Sequence, residues 1–111
     1  MGNVNSYRQI VQNVLTHYID LQYAHSEIEN EVIFDPQNDR YLVMSIGWQK
    51  AKRIHGCLIH IDIINEKVWI QRDGTEHGIA YDLMNAGIPQ RDIVLAFHPP
   101  DVRPHTQFAV A

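Results

Sequence analysis

The residues best placed to do chemistry in this chain are His60 and Asp62. They stand two apart in "CLIHIDII", a run that reads as a strand, so both side chains leave the same face. An imidazole beside a carboxylate could bind a metal or act as an acid–base pair. The same spacing also describes the polar side of a half-buried strand. The chain has seven histidines, His17, His25, His55, His60, His77, His98 and His105, and none belongs to an H-E-x-x-H motif or adjoins a Cys-x-x-Cys pair. His55 falls on the opposite face from His60 unless Gly56 marks a bulge. Cys57 is the sole cysteine, so it makes no internal disulfide; it fits a reducing cytoplasm and reads as a small buried hydrophobe. Ser6, Ser26 and Ser45 lack a nucleophile-elbow context. No catalytic, cofactor-binding or metal-binding residue is assigned, and the chain is expected not to be an enzyme.

A second stretch, "DGTEHGIAYDLMNAGIPQRDIVLAFHPP", carries the punctuation of a functional loop. Its glycines have structural explanations. Asp73 or Thr75 caps a helix, with Glu76 at a loose capping-box distance from Asp73. Ile79, Ala80, Leu83 and Met84 make the apolar stripe, Gly87 suits the helix end, and Pro89 forbids continuation. Gly74 and Gly87 thus lie at opposite ends of one short helix and make no phosphate cradle. Asp82, Asp92 and Asp101 read as solvated or capping residues. "DIVLAF" follows as a short buried strand or extended segment.

The remaining elements fill in around these. "NSYRQIVQNVLTHYIDL" is a helix capped by Asn5 or Ser6, with Tyr7, Ile10, Val11, Val14, Leu15 and Tyr18 as its apolar stripe. "IENEVIFDPQNDRYLVMSIGW" predicts two strands around a turn built from Asp35 to Asp39. Tyr41 to Trp48 is apolar on both faces, as in a strand covered on both sides or covered on one and used for association on the other. "RIHGCLIHIDIINEKVWIQRDG" predicts another hairpin around Asn65-Glu66, with Cys57, Ile59, Ile61 and Ile63 on one face. The fold class is α+β, a single domain over residues 1–111: a mainly antiparallel sheet of four or five strands with an N-terminal helix and a second helix in the C-terminal half.

Charge narrows the choice of partners. With 13 acids against 9 bases the formal charge is −4, which disfavours an autonomous DNA binder, because such binding rests on Lys and Arg neutralising phosphates. The densest basic segment holds only Lys50, Lys52 and Arg53, next to Trp48. No run of about 18 apolar residues is present to span a membrane, and the first ten residues lack a signal-peptide pattern, so a cytoplasmic location is expected. Trp48, Phe108 and Val110 are the candidate partner surface, and His60 with Asp62 the candidate polar site. The closing "FAVA" is expected to dock on the body or on a partner.

The stretches "YRQIVQNVLTHY", "FDPQNDRYLVMSIGW", "RIHGCLIHIDIINEKVWIQRDGTEHGIAYDLMNAGIP", "DIVLAFHPPDVR" and "FAVA" together resemble the XisI family, the excision controlling factors associated with the fdxN element of filamentous cyanobacteria. The resemblance covers nearly the whole chain and is most specific in "KVWIQRDGTEHGIA". It implies a role beside a site-specific recombinase and an endonuclease-like second factor, XisH, in programmed excision during heterocyst formation. It supplies no catalytic residues and no cofactor. Three readings follow. The first is an accessory protein that contacts an XisH-like protein or the recombinase. The second is a DNA-binding specificity factor using Lys50, Lys52, Arg53 and Trp48. The third is a small metal-dependent hydrolase or nuclease using His60 and Asp62.

Overall fold

The computed structural model describes residues 4–20 and 27–111. Helix α1 (Val4–Thr16) runs into a 3-10 turn (His17–Asp20), and four strands follow: β1 (Glu27–Asp35), β2 (Arg40–Gln49), β3 (Lys52–Ile64) and β4 (Lys67–Asp73). Helix α2 (Ile79–Asn85) leads through a second 3-10 turn (Gln90–Asp92) to β5 (Ile93–Leu95), and a third turn (Arg103–His105) lies in the C-terminal segment. The strands form one five-stranded sheet in the order β1-β2-β3-β4-β5. The first four make an antiparallel meander, and β5 joins β4 in parallel. This is the α+β class expected from the sequence.

Local sequence explains the connections. Asn65 and Glu66 both have positive φ, 51° and 66°, as a two-residue type I′ hairpin turn requires. Asp35 closes the turn between β1 and β2 by accepting bonds from the Asn38 backbone and side-chain amides. Asn5 and Ser6 lie inside α1, one to two residues past the helix start, and so do not cap it. Helix α2 also begins later than expected, at Ile79, so Asp73 and Glu76 form no capping box. Asp73 caps instead from a distance: its carboxylate accepts the Ile79 N–H at 2.9 Å and the Thr75 N–H at 3.0 Å, while the Thr75 hydroxyl accepts the Gly78 N–H at 3.2 Å. The other end is a Schellman motif around Gly87 (φ 118°), with Ile88 N–H donating to Leu83 O and Gly87 N–H to Met84 O.

Both helices cover one face of the sheet. Tyr7, Val11, Val14 and Leu15 from α1 and Ile79 and Leu83 from α2 meet Tyr41, Val43, Ile59, Ile61, Val68 and Ile70 in the core. Each fully buried aliphatic side chain contributes about 1.5–3 kcal/mol. Two bulges shape the sheet: Leu58 is the extra residue in β3 opposite Val43–Met44, and Gln71 the extra residue in β4 opposite His60–Ile61. The Leu58 bulge reverses the alternation ahead of it. Cys57 therefore sits across from Met44 on the uncovered face, not with Ile59 as regular alternation implies.

Polar bonds fix the helix over the sheet. Arg8 donates from Nε (2.6 Å) and Nη2 (2.9 Å) to the two oxygens of Asp39, which also accepts the Tyr41 hydroxyl at 3.0 Å. Tyr7 donates to Asp92, which is thus a bonding partner and not merely a solvated residue. Burial, reinforced by Asp92, pushes the Tyr7 phenol up to about 12. Nearly buried Asn30 donates to Tyr18 O at 2.8 Å and accepts the Ser45 hydroxyl at 2.7 Å, tying β1 and β2 to the end of the helical segment.

Two outcomes test this account. A Cβ on Gly47 would stand 2.0 Å from Glu27 O, so Gly47→Ala is expected to lose about 2 kcal/mol or more in urea denaturation, as strands β1 and β2 are forced apart. The Arg8 bonds hold the Asp39 carboxyl below its usual range. A lowered folded-state value stabilises the fold above the unfolded value and loses that contribution as pH falls toward the folded one. The stability gap between wild type and Asp39→Asn is therefore expected to be full near neutrality and to narrow below about pH 4 in thermal melts at stepped pH.

Candidate functional site

Because α1 and α2 lie on one side, register decides what the other side presents. On β2 that side carries Leu42, Met44, Ile46 and Trp48, on β1 Glu27, Glu29, Glu31 and Ile33, and on β3 His60, Asp62 and Ile64. Near β4 and β5 the face is covered by the C-terminal segment. Val94, which faces this side opposite Trp69, is fully buried and bridges Ala109 in parallel. Arg103 clamps that cover: its guanidinium stacks over Trp69 at 5.5 Å and donates to His98 O at 3.0 Å and Ala96 O at 3.3 Å. Among the described residues nothing covers the part of the face formed by β1 to β3. Ile33 (53% exposed), Trp48 (46%) and Ile64 (39%) stand open there around half-buried Leu42, Met44 and Ile46. The uncovered surface is therefore an apolar belt bordered by glutamates.

The candidate residues fall in different places. His60 and Asp62 do share a face, and their side chains meet, Nε2 to Oδ1 at 2.9 Å, with Gln71 donating to the other Asp62 oxygen at 3.3 Å. The Leu58 bulge brings His55 onto the same face, opposite Ile46, yet His60 pairs with Leu42, four residues along β2 and about 13 Å away. Among the described residues no group of three His, Cys, Asp or Glu side chains could hold a metal ion. The Cys57 thiol is pushed up by burial and donates to Ile59 O at 3.3 Å, the setting of a packed, unreactive cysteine. Trp48 is exposed at the β2–β3 hairpin tip, with the Arg53 guanidinium 5.3 Å from its ring centre. Val110 is exposed (52%), whereas Phe108 is half-buried and packs against the core. His25 lies outside the described residues.

Sequence reasoning missed one polar cluster. Asp82, read as solvated, accepts the Tyr18 hydroxyl at 3.0 Å and lies 2.9 Å from His77 Nε2. These groups border a cleft of about 480 Å³ between α1 and α2, walled by Val14, Tyr18 and Ala86. The Asp82 bond raises the His77 pKa above its ordinary value, and the imidazole and carboxylate meet beside the tyrosine. Among the described residues neither His60 nor His77 has a serine, threonine or cysteine hydrogen-bond partner. The i,i+5 spacing of His77 and Asp82 was visible in the sequence, but the tyrosine that joins them is 59 residues away from His77.

An α+β sheet with helices on one face and an apolar, acid-bordered surface on the other defines a class of small domain. Comparison with known proteins places the chain within it. The model of the XisI protein family matches residues 1–110, and the chain belongs to the XisI family. The crystal structure of a XisI-like protein from Anabaena variabilis ATCC 29413 is 34% identical and superposes with a TM-score of 0.87, covering 97% of this chain and 99% of that one. The fdxN element excision controlling factor XisI from the same strain is 36% identical, with a TM-score of 0.81 and coverage of 98% and 99%. A search of curated protein sequences found no match.

The His77–Asp82 bond has a direct test. In Asp82→Asn the imidazolium loses its counter-charge, so the His77 resonances in an NMR titration are expected to shift at lower pH than in wild type. An unchanged midpoint would mean that the pair is open in solution.

Proposed function

We propose that this chain is an accessory controlling factor in the excision of an fdxN-type DNA element, acting by protein–protein contact with an XisH-like endonuclease or with the site-specific recombinase. Family membership supports the excision role, since a relative 36% identical over nearly the whole chain is itself an fdxN element excision controlling factor. The observation that carries the mode of action is the uncovered sheet face. Half-buried Leu42, Met44 and Ile46 with exposed Trp48 and Ile33 make a continuous apolar belt, and the described residues do not cover it. Surfaces of this kind mark contact sites. The acidic margin adds complementarity to a basic DNA-handling protein and raises the rate at which the two meet.

A second reading has one observation in its favour. Trp48, stacked with Arg53, shares a hairpin tip with Lys50 and Lys52, an arrangement that suits a local nucleic-acid contact. A gel shift at low salt with element-end DNA separates the two readings. Retardation lost on replacing Lys50, Lys52 and Arg53 together would favour DNA contact.

The protein-contact reading is tested with purified chain and purified XisH-like protein or recombinase in calorimetric titration. Binding in the micromolar range or tighter is expected with one of them. Trp48→Ala is expected to weaken it about tenfold or more, as an exposed aromatic anchor does, with little change in melting temperature. Two mixtures that each elute as separate species at micromolar concentration would overturn the reading.

A further inference from the structure

We propose that a second copy of this chain occupies the apolar sheet face in the free protein, paired about a two-fold axis that runs along β2. The inference deepens the protein-contact reading above, on whose surface it rests: a macromolecular partner binds there by displacing the second copy.

The face is striped by charge. Its β1 column is acidic, with Glu27, Glu29 and Glu31 exposed. Its β2 column is apolar, from Leu42 through Met44 and Ile46 to Trp48. Its β3 column holds Arg53 and His55, both exposed, opposite Trp48 and Ile46. Arg72 of β4 stands on the same side, opposite His60. Strand β1 carries no base, and β3 carries no acid between Arg53 and His60. Acidic, apolar and basic columns therefore lie side by side, in that order.

That order decides how two copies can meet. Sheets stack about 10 Å apart with their strands within about 30° of alignment. A two-fold axis along β2 exchanges the outer columns, so β1 of each copy lies over β3 of the other and β2 lies over β2. Glu27 and Arg53 share the Trp48 level, and Glu29 and His55 share the Ile46 level, so each acid of one copy comes over a base of the other. Glu31 shares the Met44 level with Cys57, on which the Arg72 charge also acts. The two apolar columns meet at the centre and leave water. At the far end Asp35 and Asp62 share a level, with Arg40 of each copy between them. An axis across the strands would instead set β1 over β1, glutamate upon glutamate, and such like-charge contacts are unfavourable. A patch three strands wide and about five residues long buries on the order of 1,000 Å² when paired, the lower end of specific interfaces, which suits a dimer of micromolar strength.

Sedimentation velocity of the full chain tests this. Between about 1 and 200 µM the wild type is expected to pass from monomer to dimer, with a midpoint on the order of 10 µM. E27K/E29K sets bases over bases, and R53E/H55E sets acids over acids. Each variant is expected to dimerise about tenfold more weakly or worse while its melting temperature holds. Mixed in equal amounts, the two are expected to regain association near the wild-type strength, because each new lysine then faces a new glutamate and each native glutamate a native base. Should either variant fail to fold, E27Q/E29Q removes charge without adding bulk and is expected to weaken the dimer about threefold. A wild type that stays monomeric throughout, variants that dimerise as the wild type does, or a mixture that stays apart overturns the proposal. A monomer that still binds an XisH-like protein in calorimetry would sink the self-pairing and leave protein contact standing. A dimer with no affinity for either macromolecular partner would do the reverse.

Discussion

A buried tyrosine needs an acceptor for its hydroxyl, and this fold answers that need three times with a carboxylate. Tyr7 ends on Asp92, Tyr18 on Asp82 and Tyr41 on Asp39. A hydrogen bond to a charged group contributes about 1.5–3 kcal/mol, more than a neutral one. Each ring fills the core while its oxygen reaches a rim, so the three bonds act at separate points around the helical layer. The first fastens α1 to the turn before β5 and the second the helical segment after α1 to α2, while the third holds the Asp39 carboxylate where Arg8 of α1 bonds it. The apolar stripes of α1 and α2 are thereby committed to one face of the sheet, and the apolar residues of β2 that face the other way have no helix to meet.

That commitment explains why a strand apolar on both sides belongs to a two-layer protein. Tyr41 and Val43 are used by the core; Leu42, Met44 and Ile46 alternate with them and are left at a surface. Among the described residues nothing packs over this surface. The polar pair His60 and Asp62 lies on the same side, bonded together and to Gln71, and contributes a hydrogen-bonding patch next to the apolar belt.

Much of this was legible in the residues. The α1 stripe, the Asn65-Glu66 turn, the meander and the shared face of His60 and Asp62 follow from local periodicity and turn chemistry, which need no knowledge of the tertiary fold. The bulges were not legible. An extra residue at Leu58 leaves the run "HGCLIHI" looking regular, and only pairing with β2 reveals that Cys57 and His55 have changed sides. Asp82 and Asp92 were misread for a related reason: an aspartate that ends a tyrosine's bond 64 or 85 residues away looks like any surface aspartate. Phe108 shows the intermediate case, since its apolar surroundings said that it would dock but not upon what.

The bridge between Val94 and Ala109 bears on how the sheet could be extended. A sheet with two available margins can add units indefinitely and grow into a filament. Here the chain's own tail occupies the β5 margin, so a guest strand finds no open row of donors and acceptors there. Growth of this sheet into a filament through β5 would first require the tail to be displaced.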